Sequence, residues 1–315
     1  MEVISPSLPL VQVTAENLRD ARNYLGISDV KMIKESLDNI EEWLKKQPHL
    51  VEASQYMSRA ILERFFVLAR GSVEGTKTKI EKLFTTRGLM PELSMHKTVL
   101  EFEKLWEVVN YVPLPKLSPT NQSRVMITQF LTDKLDEFSL LSYFRYNFLV
   151  GEFRLNYDYC VSETFVIDLN NLNITHLAKL NPIVIKKAEL LCTEGFGTKI
   201  SGIHIVNATP FVDKLLFILK SALKPKVAGR VHVHKTYEDL QKHIPKEILP
   251  KDYNGNEQSC SKLAEQWKEV LRTEEAARII TNMDKLITDE SKRDVSKFNQ
   301  EYMGMPGSFR SLNVD

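Results

Sequence analysis

The sequence has little of what several large functional classes require. Only 12 of its 315 residues are glycine, and neither a Walker-type phosphate loop nor a G-x-G-x-x-G fingerprint follows any strand-like segment. No G-x-S-x-G nucleophile elbow is present. Acidic and basic residues nearly balance, at 41 and 42, so the net charge gives no reason to expect a nucleic-acid-binding protein. These absences disfavour the common α/β enzymes and leave the local distribution of charge as the informative feature.

Cysteines and long hydrophobic runs are also scarce. The three cysteines, Cys160, Cys192 and Cys260, are odd in number and widely spaced, which predicts buried free thiols and neither a disulfide framework nor a zinc site. No apolar run reaches the roughly 18 residues that span a bilayer. The first residues carry Glu2 and early prolines, which are not typical of a signal peptide. We therefore expect a cytoplasmic protein without cofactors.

The first third of the chain has helical periodicity. The segment SDVKMIKESLDNIEEWLKKQP predicts a helix with Ser28 as its N-cap. Two further helices are predicted to end at Gly71 and Gly88, because glycine suits the left-handed position after a helix. Another helix is predicted over residues 96–113. We therefore expect an all-helical N-terminal domain over residues 1–96.

The middle of the chain alternates between strand and helix patterns. Strands are predicted at residues 124–130, 162–169, 199–207 and 230–234, and helices at 136–158, 181–196 and 211–223. This alternation predicts an α/β domain over residues 97–267 with a parallel or mixed sheet. Residues 268–315 are expected to add one or two amphipathic helices and an irregular end, QEYMGMPGSFRSLNVD.

Few residues are candidates for chemistry. His232 and His234 share one face of a strand, as two metal ligands would, but no third ligand stands at a recognisable spacing. Structural histidines at a sheet edge are the favoured interpretation, and His204 is expected to be a hydrogen-bonded core histidine. Asp168 ends a strand, where a carboxylate satisfying backbone donors is favoured over a catalytic one. We predict no metal site and no catalytic residue.

The helix FVDKLLFILKSAL, residues 211–223, is too apolar for a surface helix and too short to cross a bilayer. Its polar side chains form only a narrow stripe, so that two of its faces must be covered. On these residues alone, both faces could meet protein in an ordinary core.

The ordered run from GIHIVN through this helix to RVHVH and LPKDYNG resembles the CRAL-TRIO (Sec14-like) lipid-binding family. The resemblance is to the subgroup of the α-tocopherol transfer protein and cellular retinaldehyde-binding protein. Upstream, RFFVLARGSVEG resembles the family's R-F-L-R-A-R motif, and FVIDL its F-D-L strand. The resemblance covers residues 15–267 in order. It implies a sheet floor and helices around one apolar cavity, closed by a mobile helical gate at residues 211–223.

Three departures from the family pattern are visible. Leu68 and Ser72 stand where a base and an aromatic residue are usual, and the spacing Lys226–Arg230 is wider than K-x-R. The glycine pair of the family is Asn254-Gly255 here. The first two departures concern the basic groups, and none of the three falls on the expected cavity.

The resemblance also implies two sets of site residues. The cavity-facing set is Phe130, Leu149, Phe165, Ile167, Ala188, Cys192 and Phe196, with Val212, Leu215, Leu216, Leu219 and Leu223 from the gate. The phosphoinositide-binding set is Arg70, Lys199, Lys226 and Arg230. Arginine forks and lysine point charges suit phosphate oxygens, although these four bases could also be merely solvated charges.

The function expected from these features is that of a cytosolic, monomeric carrier of a small hydrophobic ligand. A retinoid, a tocopherol-like molecule or another isoprenoid lipid would fit, with peripheral binding to phosphoinositide-containing membranes. The alternative is a lipid-sensing regulator or adaptor in membrane traffic. An α/β enzyme, the third class, would require a polar catalytic cluster within the cavity.

Overall fold

A five-stranded mixed sheet forms the floor of the structure, a computed structural model that describes residues 8–293. The strands are β1 Val109–Leu117, β2 Ser123–Phe130, β3 Ser162–Asp168, β4 Ile200–Val206 and β5 Val231–Val233. They lie in sequence order; β1 pairs with β2 antiparallel, and all later pairs are parallel. The predicted α/β class with a mixed sheet is confirmed.

Helices precede, connect and follow the strands. Those before β1 are α1 Ala15–Leu25, α2 Val30–Lys45, α3 Val51–Ser54, α4 Arg59–Leu68, α5 Val73–Leu89, α6 Pro91–Ser94 and α7 Glu103–Trp106. Those between strands are α8 Leu140–Arg154, α9 Pro182–Leu190, α10 Val212–Ala222 and α11 Pro225–Ala228. Those after β5 are α12 Tyr237–Gln241, α13 Cys260–Leu271 and α14 Glu274–Met283. Short 3-10 turns lie at Val99–Phe102, Ile174–Lys179, Lys251–Tyr253 and Glu290–Lys292, and a π-helical turn at Leu191–Gly195 extends α9.

Two predicted helix ends are wrong. Helix α2 is capped by Asp29 and not by Ser28, because the Asp29 carboxylate accepts the Lys31 N–H at 2.9 Å and places negative charge at the helix N-terminus. Helix α5 continues through Gly88 and stops before Pro91, because the residue preceding a proline is kept out of the helical region. At Gly71 the prediction is confirmed: φ is +74°, and a Cβ would lie 2.3 Å from Ile27 Cγ2.

The helix predicted over residues 96–113 is largely wrong. After a 3-10 turn and the short helix α7, the chain enters strand β1 at Val109. Consecutive valines and Tyr111 favour the extended form, and β1 tolerates Pro113 because it is an edge strand. The sequence pattern therefore missed the one antiparallel strand of the sheet.

Helices cover both faces of the sheet. Helix α13 packs on β1, where the Trp267 indole donates to the Pro113 carbonyl at 3.1 Å, and α12 packs on β4. Residues of α8, α9 and α10 surround one cavity together with residues of β2 and β3. Helices α13 and α14 form the amphipathic helical segment predicted near the C-terminus, whereas the predicted irregular end at 300–315 lies outside the described residues. The division of the chain at residues 96 and 267 stays a prediction.

Candidate functional site

The burial pattern of β3 locates a cavity on one face of the sheet. This strand lies between β2 and β4, so both of its edges are paired. Ser162, Thr164, Val166 and Asp168 are buried, whereas the alternate residues Glu163, Phe165 and Ile167 are only half-buried. Since side chains alternate across a strand, one face of β3 is fully packed and the other meets open space.

That space consists of two adjoining apolar chambers. The larger chamber has a volume of about 190 Å³ and the smaller about 110 Å³. They share wall residues, including Tyr143, Phe144 and Leu219. The Tyr143 hydroxyl lies 2.6 Å from Thr128 Oγ1, which fixes the phenol ring between the chambers. Taken together, the two chambers reach the lower end of the roughly 300–1,000 Å³ range of small-molecule sites.

Most of the predicted cavity residues lie at these walls. The larger chamber is lined by Phe165, Ile167, Ala188, Cys192, Phe196, Leu219 and Leu223, and the smaller by Phe130, Ile167, Leu215 and Leu219. Leu149, Val212 and Leu216 line neither chamber. Leu149 is buried in the main core, and the other two pack beside Leu215 in a smaller cluster under α10. Contact of any of them with a ligand stays a prediction.

Helix α10 covers the chambers, and its inner and outer faces carry different residues. Leu215 and Leu219 line the cavity, whereas Phe217 points away from it and is 76% exposed. The helix packs on α9, which carries another exposed apolar side chain, Ile183, at 62%. The outer surface around α10 therefore exposes apolar side chains beside the charges of Asp213, Lys214 and Lys220.

One end of the larger chamber is charged, which the sequence pattern did not predict. Its wall includes Arg64 from α4, Arg154 from α8, Asp158 and Glu163. Burial alone would raise the pKa of Asp158, but Arg124 and Arg154 outweigh this effect and hold the pKa well below its usual value. A usable signal was present, since charged residues inside the apolar helices α4 and α8 must either pair or face a cavity.

The three cysteines differ in their surroundings. Cys160 and Cys260 are buried, as predicted, but Cys192 is only half-buried because it lies on the π-helical turn at the cavity wall. Burial raises the pKa of the Cys192 thiol, and the thiol is therefore neutral at physiological pH. Cys192 thus presents an apolar surface to the chamber.

The four predicted phosphoinositide-binding bases lie at the surface near the larger chamber. Arg70, Lys199 and Lys226 are exposed, and Arg230 is half-buried. The Arg230 guanidinium donates to the carbonyl of Ile200, the residue after Lys199. Leu68 lines the larger chamber, so the expectation that none of the departures from the family pattern falls on the cavity is wrong for this residue. Arg70 lies two residues after Leu68, and Lys199 stands between the wall residues Thr198 and Ile200.

Four histidines form a cluster on the other face of the sheet. His204 Nδ1 lies 2.8 Å from His234 Nε2, which confirms His204 as a buried, hydrogen-bonded histidine. The ring centroids of His204 lie 5.3 Å from His232 and 5.1 Å from His243. Burial and the neighbouring imidazoles lower the pKa of His204 to about 3. Among residues 8–293, no group of three or more His, Cys, Asp or Glu side chains has an arrangement that could hold a metal ion.

Asp168 holds the end of β3 to two other segments. Its carboxylate accepts the backbone N–H of Asn170 at 2.9 Å, the Asn207 amide at 2.8 Å and the Tyr253 hydroxyl at 2.9 Å. The interpretation of Asp168 as a structural carboxylate is therefore confirmed. Nearby, Gly255 is required, since a Cβ there would meet the Leu249 carbonyl oxygen at 1.9 Å.

A mixed sheet, an apolar cavity on one face of it and a helix that covers the cavity characterise the part of the chain from β1 to β5. Residues 115–255 match the CRAL/TRIO domain family, and residues 29–103 match the Pinta-like UBA domain. Residues 115–255 thus match a CRAL/TRIO domain and follow a helical segment that matches the Pinta-like UBA domain, and the resemblance noted from the motifs is confirmed.

Curated relatives share short segments with this chain. Alpha-tocopherol transfer protein-like from Mus musculus is 30% identical over 28% of this chain and 26% of its own length. Clavesin-1 from Rattus norvegicus is 29% identical over 29% of this chain and 26% of its own length, and human Clavesin-2 is 29% identical over 29% of this chain and 28% of its own. The chain therefore matches about a quarter of the length of these relatives.

Among solved structures, the crystal structure of Sfh5 matches with a TM-score of 0.46 and 12% identity. The match covers 81% of this chain and 93% of that chain. Within residues 8–293, none of the helices combines the length and the apolar character needed to cross a membrane.

Proposed function

We propose that the protein binds a small hydrophobic molecule in the two chambers and carries it between membranes. The observation that carries this proposal is the half-buried, largely apolar face of β3 beneath α10. A retinoid, a tocopherol-like molecule or another isoprenoid lipid fits such a space. A curated relative named for α-tocopherol transfer supports this class of cargo. We propose a monomeric cytosolic protein that meets membranes peripherally and catalyses no covalent chemistry.

The binding energetics favour a ligand that is poorly soluble in water. Removing ~400 Å² of apolar ligand surface from water at ~25 cal/mol per Å² contributes roughly 10 kcal/mol before the costs of association. The apolar walls supply this affinity without regard to the identity of the ligand. Chamber shape and a few polar groups must then supply selectivity.

Helix α10 would act as the gate. In the closed form Leu215 and Leu219 cover the cargo, while Phe217 already faces outward. Exposed Ile183 on α9 and Ile174, which is 51% exposed, extend the outer apolar surface. Such a surface favours contact with a bilayer, where the gate would open without exposing its inner face to water.

The bases Arg70, Lys199, Lys226 and Arg230 would direct docking to phosphoinositide headgroups. A cluster of this kind is attracted to an anionic leaflet by about 1 kcal/mol per base. A headgroup that binds the open gate better than the closed one raises the open fraction. By linkage, the closed cargo-loaded form then binds the headgroup less well, so that docking and release are coupled.

Two measurements test cargo binding and transfer. Mass spectrometry of solvent extracts from the purified protein should find a lipophile, and a panel of retinoids, tocopherols and phospholipids should contain a ligand. If the extracts are empty and no member of the panel binds, the proposal is wrong. A transfer assay between two vesicle populations then separates a carrier, which accelerates ligand movement, from a lipid-sensing regulator or adaptor, which need not.

A charge test addresses docking. Replacing the exposed bases Lys199 and Lys226 with alanine should weaken binding to vesicles containing phosphatidylinositol bisphosphate by roughly tenfold or more. The matched control replaces two other exposed lysines, Lys34 and Lys262, and should change vesicle binding little. Cargo affinity should remain nearly constant in both variants. Equal loss of cargo and vesicle binding would count against a separate headgroup site.

A further inference from the structure

The charged end of the larger chamber has one positive charge without a direct partner. Arg124 Nη2 lies 2.8 Å from Asp158 Oδ1, and Arg154 Nη2 lies 2.7 Å from Asp158 Oδ2 and 3.0 Å from Glu163 Oε1. Arg64 forms no ion pair with any carboxylate of the described residues. This end of the chamber therefore contains three guanidinium groups and two carboxylates. Its excess positive charge is that of Arg64.

The other contacts of Arg64 do not neutralise it. Its Nη2 donates to Cys160 Sγ at 3.0 Å, and its Nη1 is buried without a hydrogen-bond partner among residues 8–293. Burial raises the pKa of Cys160 to about 11, so the sulfur is a neutral thiol and a weak acceptor. Since Arg64 is only 4% exposed, bulk water does not solvate its charge.

The geometry points to a lipophile with a carboxylate headgroup as the ligand, bound with its carboxylate toward Arg64 and its hydrocarbon chain toward α10. A buried guanidinium is stabilised by an anion that can accept from its planar fork. One carboxylate supplies the single negative charge that this end lacks, whereas a phosphomonoester headgroup would supply up to two. This inference rests on the proposed function, because it names the class of molecule that the same chambers would hold.

The remaining walls fit this orientation. From the charged end, the larger chamber continues past Phe165 and Ala188 to Leu219 and Leu223 below the gate. The other carboxylate on the wall, Glu189, accepts from Thr193 Oγ1 at 3.1 Å, and Thr193 in turn contacts Lys224 after the gate helix. Glu189 thus has a hydrogen-bond partner of its own and forms no ion pair with Arg64 within residues 8–293.

Matched ligand pairs test the inference on the full-length protein. Equilibrium binding is measured for palmitic acid against 1-hexadecanol and for retinoic acid against retinol, in each case at neutral pH. Because a charge-assisted hydrogen bond contributes about 1.5–3 kcal/mol, we expect the acid to bind at least about tenfold more tightly than the alcohol in at least one pair. Equal affinities within both pairs would overturn the inference.

Substitution of Arg64 gives the second readout. Arg64→Met should abolish the preference for the acid and leave the affinity for the alcohol within about threefold, because only the charged partner is lost. Arg64→Lys keeps the positive charge but loses the planar guanidinium donors, so it should retain part of the preference for the acid. This variant replaces Arg64→Met in the test if Arg64→Met does not fold. Lys34→Ala, which removes an exposed lysine outside both proposed sites, should leave the ratio unchanged. A preference that persists in Arg64→Met would contradict the role of Arg64.

The outcomes also separate this inference from the proposed function. If tocopherol or retinol binds and no acid is preferred, the chambers hold lipophiles but Arg64 does not select them. If no member of the panel binds, both the carrier function and the headgroup assignment fail.

Discussion

Lys224 and Glu194 form an ion pair, 2.7 Å between Nζ and Oε1, that joins the segment after the gate helix to the π-helical turn on the cavity wall. The other carboxylate oxygen of Glu194 accepts from Lys82 of α5 at 2.9 Å. Burial would raise the pKa of Glu194, but the two lysines outweigh it and lower the pKa to about 2. The carboxylate is therefore charged at physiological pH and connects the N-terminal helices, the wall and the gate.

Removal of Lys224 should loosen the gate. The pair is partly exposed, so its contribution is about 0.2–1 kcal/mol, and Lys224→Ala should accelerate cargo release up to about fivefold. Stopped-flow measurement of release to acceptor vesicles gives the rate. Lys220→Ala, which removes an exposed base of α10 with no ion pair in the described part of the chain, is the control. Identical release rates in the two variants would show that the Lys224–Glu194 ion pair does not hold the gate closed.

The hydrogen bond between Tyr253 and Asp168 should contribute measurably to stability. Both side chains are buried, and Tyr253→Phe removes a donor to a charged acceptor at a cost of roughly 1.5–3 kcal/mol. Urea unfolding gives the change in the free energy of unfolding. Tyr237→Phe loses a hydroxyl that contacts Asn207 at an exposed site, and it should cost less than about 0.5 kcal/mol. Equal losses in both variants would show that the buried carboxylate does not need this donor.

A buried ionic network joins the N-terminal helices to α8. Glu152, on α8, contacts the Arg87 guanidinium and accepts from Lys97 Nζ at 2.9 Å, and all three side chains are fully buried. Removing this carboxylate leaves two buried cations with only the more distant Asp284, 3.9 Å from Arg87 Nη2, as a counter-charge, so Glu152→Gln should cost about 3–5 kcal/mol in chemical unfolding.

Glu101→Gln provides the control for this network. Glu101 forms a similar but more exposed pair with Arg145, 2.6 Å between Oε1 and Nε, and its loss should cost at most about 1 kcal/mol. A small effect of Glu152→Gln would mean that water reaches the network and replaces the lost charge.

The strands β2 to β5 could be predicted because each contains a recognisable apolar pattern within its own few residues. Strand β1 could not be predicted, because the helical turn before it and its prolines look like the end of a helix. Its extended form depends on pairing with β2 and on packing against Trp267, which are contacts with distant segments. The cap at Asp29 was missed because Ser28 is an equally suitable residue one position earlier.

The cavity walls were largely predictable and the charged end was not. The family resemblance implies a cavity above the sheet, and alternation in β3 and helical spacing in α10 then select residues such as Phe165 and Leu219. The position of Arg64 beside Arg154 and Asp158 depends on α4 meeting α8, a contact between segments about ninety residues apart. The same applies to the histidine cluster, in which His243 arrives on a separate segment after α12.

The histidine cluster should make stability depend on pH. The pKa of His204 is lowered to about 3 in the folded protein, whereas an unfolded histidine titrates near 6.5, so the unfolded chain binds more protons below that pH. Stability should therefore be lost as the pH falls below about 6.5, at roughly 1.4 kcal/mol per unit until the folded group itself titrates. Urea unfolding between pH 7 and pH 5 measures this slope before most carboxylates protonate. His204→Gln keeps a hydrogen-bonding side chain without a titratable ring, and its curve should be flatter than the wild-type curve by about that slope. If the free energy of unfolding depends on pH in the same way in the wild type and in His204→Gln, water solvates protonated His204 in the folded protein.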